Sequence, residues 1–143
     1  MPTFNDALDN LVTILRDYPP LVEFGQDKWG KEFTVKRRFQ KKTELGTSEM
    51  PVILIIRPEV VKDFQLQARD GTHTVLLFVG FLQDDRELAQ AELVELEEIL
   101  DDAVLANYTL GDTVLSAMPG PSTNESEHPK YWLIMQVDVL HRR

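Results

Sequence analysis

One stretch constrains the fold more than any other: Asp84 to Val104, DDRELAQAELVELEEILDDAV. At 100° per residue, Ala89, Leu93, Leu96, Leu100 and Ala103 fall on one narrow arc, and Leu88, Ile99 and Val104 widen it. A broad apolar arc on a long helix requires a partner surface, and a sheet is the usual one. Asp84 or Asp85 can accept hydrogen bonds from the free N–H groups of the first turn, and Glu87 adds favourable charge there. Two residues break the pattern, because Val94 and Leu105 point to the acidic outer side. Each is either an isolated exposed apolar residue, which is common, or a position covered by a neighbouring subunit.

The elements around this helix are shorter. Residues 4 to 17 read as a helix with Thr3 or Asn5 as cap and a stripe of Leu8, Leu11, Val12 and Leu15, stopped by Pro19-Pro20. Residues 21 to 32, with two glycines and mixed polarity, read as a loop anchored by Phe24 and Trp29. Phe33 to Lys42 alternates, with Phe33, Val35 and Phe39 on one side and a wet, basic face on the other. Thr43 to Met50 reads as a turn around Gly46. Val52 to Ile56 is apolar on both faces, as an inner strand is. Phe64 to Arg69 and Thr74 to Val79, joined at Asp70-Gly71, read as a hairpin whose second strand is central. Beyond the long helix come a short strand, Thr113 to Met118, and a mobile loop, Pro119 to Pro129, with little to bury. A last strand carries Tyr131, Leu133, Met135, Val137 and Val139 on one face, and Trp132, Ile134, Gln136 and Asp138 on the other. The expected class is α+β: a curved, mostly antiparallel sheet of about five strands, with the N-terminal helix and the long helix on one face.

A length of 143 residues suits one domain, taken here as 1–143. No apolar run approaches the length of a membrane span, and the N-terminus lacks the basic and apolar regions of a secretory signal. The absence of cysteine removes disulfides, thiolate metal sites and cysteine nucleophiles. A net charge of −9 opposes non-specific binding to nucleic acid. The charge is also polarised. Seven basic residues against two acidic ones lie between Asp27 and Lys42, whereas nine acids face only Arg86 between Asp84 and Asp102.

Nothing in the chain assembles into catalytic chemistry. His73, His128 and His141 have no metal-ligand spacing, no phosphate-cradling glycine loop occurs, and Ser48, Ser116, Ser122 and Ser126 lack a nucleophile elbow. The helical carboxylates read as a solvated face. No enzyme, cofactor or metal is expected, and the reading is of an interaction protein. Its candidate interface residues are Lys36, Arg37, Arg38, Lys41 and Lys42 on the basic strand, and Glu87, Val94, Glu95, Glu98, Asp101, Asp102 and Leu105 on the helix. The basic row is either solvated or set against an acidic protein surface, such as the helix of an adjacent subunit.

The order of elements resembles the tail-terminator (head–tail joining) proteins of long-tailed bacteriophages. The likeness rests on the first helix ending at Asp17-Tyr18-Pro19-Pro20, the hairpin Phe64 to Val79, the long helix, Leu110 to Pro119 and the closing strand Tyr131 to Leu140. It is one of pattern, covers most of the chain and leaves out the basic segment 28–42. The resemblance implies a non-enzymatic virion protein, assembled in the host cytoplasm. It would form a homo-hexameric ring on the tail tube protein, present a surface to a head-completion or neck protein, and let DNA pass through. Alternatives are another neck or tube-completion ring, a non-virion adaptor or ligand-binding domain of the same class, and, third, a small enzyme.

Overall fold

The computed structural model describes residues 3–37, 50–56 and 72–140. Helix α1 (Phe4–Asp17) opens with a reciprocal cap: the Asp6 amide donates to Thr3 Oγ1 at 3.2 Å, and the Thr3 amide donates to the Asp6 carboxylate at 2.7 Å. Ala7, Leu8, Leu11 and Leu15 form its buried stripe. Only Tyr18 separates α1 from a second helix, α2 (Pro19–Trp29), where the sequence suggested a loop. Pro19 and Pro20 end one helix and begin the next, because first-turn N–H groups have no intrahelical partner and proline costs nothing there. The interior Gly25 that argued for a loop is a packing residue: a Cβ there would lie 2.7 Å from the Lys31 carbonyl oxygen. Gly30, at φ 68°, closes α2 in the left-handed region.

Among the described residues five strands form one sheet: β1 (Thr34–Lys36), β2 (Val52–Ile56), β3 (Thr72–Leu82), β4 (Ser116–Glu127) and β5 (Lys130–Leu140), in the order β1-β2-β3-β5-β4. β1 runs parallel to β2, and every other neighbouring pair is antiparallel. The fold is therefore α+β with a mixed, mostly antiparallel sheet, and β3 is its central strand. Since β3 and β4 both oppose β5, the long helix α3 (Arg86–Ala106) crosses between two parallel strands that flank β5.

The three described helices share one core with one sheet face. Ala89, Leu93, Leu96, Leu100 and Ala103 of α3 pack with Val75, Leu77, Val79 and Phe81 of β3 and with the odd-numbered residues of β5. The opposite face holds a smaller cluster of Met50, Val52, Leu54 and Trp132. β2 is apolar on both sides because it feeds both clusters. Aromatic contacts tie α2 to the sheet, where Trp29 donates to the Leu82 carbonyl at 2.7 Å and its ring meets Phe24, Phe33 and Phe81.

Two strand expectations change. Thr109 to Val114 lie in turns, so the strand begins at Ser116. Beyond it, 119–127 is not a loop, since β4 continues to Glu127 and pairs with β5 down to Lys130. Composition was the wrong guide because β5 is a regular template, and backbone pairing needs no apolar side chain from its partner. Pro119 and Pro121 are tolerated on an edge strand, and the register shifts between Pro119 and Ser122. The first strand of the expected hairpin, Phe64 to Arg69, the turn at Thr43 to Glu49 and the basic segment beyond Arg37 lie outside the described residues.

Candidate interaction surface

The long helix starts at Asp85, whose carboxylate accepts from the Glu87 and Leu88 amides at 2.9 and 3.1 Å. That end is electrostatically well made; the other is not. No basic residue lies in the last turn, and Asp101 and Asp102 stand near the end where the helix dipole is negative. Glu97 and Asp101, like Glu98 and Asp102, are four residues apart and so stack like charges on one side. Partial burial, followed by the charges of Glu97, Asp102 and Glu98, raises the Asp101 pKa above the ordinary aspartate value. Among the described residues, the side chains of Glu87, Glu95, Glu98, Asp101 and Asp102 find no hydrogen bond or ion pair.

Not every carboxylate of α3 is on the wet side, contrary to the sequence reading. Glu92 is only 4% exposed and accepts from Gln83 Nε2 at 2.7 Å. Gln83 also accepts from the Asp85 amide through its side-chain oxygen and donates its own amide to the Pro129 carbonyl. One glutamine thus joins the start of α3, the buried Glu92 and the β4–β5 turn. A polar residue inside an acidic helix gives no periodic signal, so the sequence could not single it out.

Val94 and Leu105 are exposed as expected, at 58% and 46%. Leu88 is exposed too, although the wheel put it on the apolar side, because it lies in the first turn, ahead of Ala89 where the buried stripe begins. Four further exposed apolar residues escaped the sequence reading: Tyr108, Leu115, Met118 and Leu140. Leu115, Met118 and Leu140 lie where β4 begins beside the end of β5, and Leu105 and Tyr108 lie at the end of α3 and just beyond it. The Leu115 amide donates to the Leu140 carbonyl, and Ser116 pairs with Leu140. Met118 and Leu140 stand on the sheet face away from the helices, since Ala117 between them in register belongs to the helix-side core. The stretch Leu115-Ser116-Ala117-Met118, apolar in both phases, was the available clue.

The described part of the basic strand, Lys36 and Arg37, is not a free charged row. Lys36 sits opposite Leu54 in register and is half-buried. Arg37 is turned onto α1, where it donates to the Asp9 carboxylate at 2.7 Å and to the Asn5 side-chain oxygen at 2.8 Å. Arg38, Lys41 and Lys42 lie outside the described residues. Among the described residues, Arg37 is therefore paired with α1 and not with the acidic candidates of α3.

The chain matches no protein-family model and no curated protein. Among the described residues no group of side chains is arranged to hold a metal ion, and no helix is long and apolar enough to cross a membrane. What the described surface shows is an acidic helix face carrying two exposed apolar residues, and exposed apolar side chains where β4 begins beside the end of β5.

Proposed function

We propose that this protein is a ring-forming structural subunit of the tail-terminator type, which caps the tail tube of a long-tailed bacteriophage and joins it to the head or neck. The observation that carries the reading is the exposure of Leu115, Met118 and Leu140 together where β4 begins beside the end of β5. Scattered apolar residues are ordinary, but a group of them marks an association surface. The α+β architecture, with a first helix, a central strand, one long helix and a closing strand, supports the same reading by its element order. A cyclic ring joins two different patches of each copy, so one apolar patch needs a complementary patch elsewhere on the next subunit. The tail tube protein and a head-completion protein are the partners proposed, with DNA threading the ring without sequence-specific contact.

Native mass spectrometry, alone and with tail tubes assembled from the same virus, tests the proposal. A closed ring of about six copies, in solution or only at tube ends, is the expected result, since partner binding can supply the missing free energy. Replacing Met118 and Leu140 together by Asp is expected to abolish that ring while leaving the fold intact. A chain that remains monomeric with and without tubes, and leaves tube lengths unchanged in electron micrographs, overturns it.

A further inference from the structure

We propose that Met118 is an oxidation site, at which a peroxide turns the surface at the start of β4 from apolar to polar and weakens association there. The inference rests on the reading of that surface as a place of assembly.

The chain has four methionines and no cysteine, so the thiolate that competes best for a peroxide is absent. Met50 and Met135 are sealed in the two apolar clusters, at 2% and 0% exposure, whereas Met118 is 50% exposed. Oxidation follows access to the sulfur, which sets Met118 apart from both. With hydrogen peroxide the step is a two-electron transfer. The thioether sulfur takes one oxygen, the O–O bond breaks, and the second oxygen leaves as water with both protons. Sulfur is oxidised to the sulfoxide and the peroxide is reduced.

The surroundings decide what the added oxygen does. Met118 stands opposite Asp138 in register, and Asp138 Oδ1 already accepts from Gln136 Nε2 at 2.8 Å. The facing side chain is thus an acceptor and gives a sulfoxide no hydrogen bond. A polar group covered on association without a donor carries a desolvation cost, and Leu115 and Leu140 beside it bring only apolar surface. β4 is the last strand of the described sheet, so the oxidant reaches the sulfur without any opening of the core. A sulfoxide reductase restores the thioether, the oxygen leaving as water with two electrons from thiols.

The test treats the full chain with hydrogen peroxide. Peptide mass mapping locates the oxygen, and retention on a hydrophobic-interaction column reads the surface without any partner. Met118 is expected to oxidise at least about tenfold faster than Met50 and Met135, a difference that vanishes in denaturant. The oxidised chain should elute earlier, and a sulfoxide reductase should return it to its first position. Met118→Leu, compared with itself before and after the same exposure, should not shift. In native mass spectrometry the oxidised chain should associate about tenfold more weakly, with itself or with tail tubes. Equal oxidation of the three methionines, or a retention shift that persists in Met118→Leu, overturns the proposal. Equal association before and after oxidation overturns it too, and leaves the ring standing. A chain that associates in neither form removes the ring instead, and the elution of the oxidised chain then decides the Met118 site.

Discussion

The indole ring of Trp132 occupies the space that a side chain at Gly80, its register partner on the neighbouring strand, would need. A Cβ built on Gly80 would lie 2.7 Å from Trp132 Cζ3, and two further ring atoms are within 2.9 Å. Glycine in a central strand ordinarily weakens it, and here it is what allows the largest side chain of the second cluster to lie flat on β3. Gly80→Ala is therefore expected to destabilise by about 1–3 kcal/mol through overpacking. Trp132→Leu alone should also destabilise, by leaving space over Val52 and Leu54, whereas the double substitution should cost less than the sum. Denaturant unfolding of the four chains measures the coupling, and strict additivity would show that the ring moves aside freely.

Arg37 is expected to behave as a structural residue of modest weight. Its bond to Asp9 is exposed, so Arg37→Ala should cost no more than about 1 kcal/mol. Arg37→Glu should cost more by placing a carboxylate against Asp9, and Asp9→Lys in the same chain should restore the loss. If Arg37→Glu leaves thermal unfolding unchanged, the contact carries no stability and the residue is available to a partner.

The contrast between β5 and β4 explains what could be read in advance. The alternation from Tyr131 to Val139 translates directly into burial, because one face of that strand meets the helices. The α3 stripe from Ala89 to Ala103 is legible for the same reason. β4 has no such periodicity, since its distal half, Ser122 to Glu127, is held by β5 backbone groups that its own composition does not encode. α2 was hidden similarly, as its proline pair and Gly25 are explained only by Tyr18 before it and the Lys31 carbonyl beside it. The candidate surface was half legible. Val94, Leu105 and the acids other than Glu92 stand where the wheel puts them, whereas Leu115, Met118 and Leu140 become a group only when β4 and β5 pair.

The distal half of β4 is expected to be protected in the isolated chain. The Ser122 hydroxyl donates to the Glu97 carboxylate of α3, and His128 Nδ1 lies 3.0 Å from the Tyr131 hydroxyl. Both contacts fasten the hairpin outside the ladder itself. Limited proteolysis should spare 122–127, and hydrogen exchange there should be slowed in native protein. Glu97→Ala should raise exchange in this half of β4 several-fold while leaving β3 unchanged, since local opening is governed by local contacts. Rapid exchange across 122–127 in the unaltered chain would count against the pairing.

Asp101 gives the pH prediction. Its pKa is raised in the folded chain, first by burial and then by Glu97, Asp102 and Glu98. The folded state therefore holds this proton more tightly than the unfolded state does, and stability falls as pH rises from the ordinary aspartate value through the raised one. Above that window ionised Asp101 is a standing cost; below it, the carboxyl is neutral in both states and the cost vanishes. Asp101→Asn is isosteric, with similar helix propensity. It should raise the melting temperature at about pH 7 and leave it unchanged at about pH 3. Added salt should shrink the gain only in part, because screening weakens the contribution of the three neighbouring acids but not that of burial. A gain of equal size at both pH values would mean that Asn acts by some route other than the lost charge. No gain at either would mean that the crowding of carboxylates at the end of α3 is already relieved by solvent.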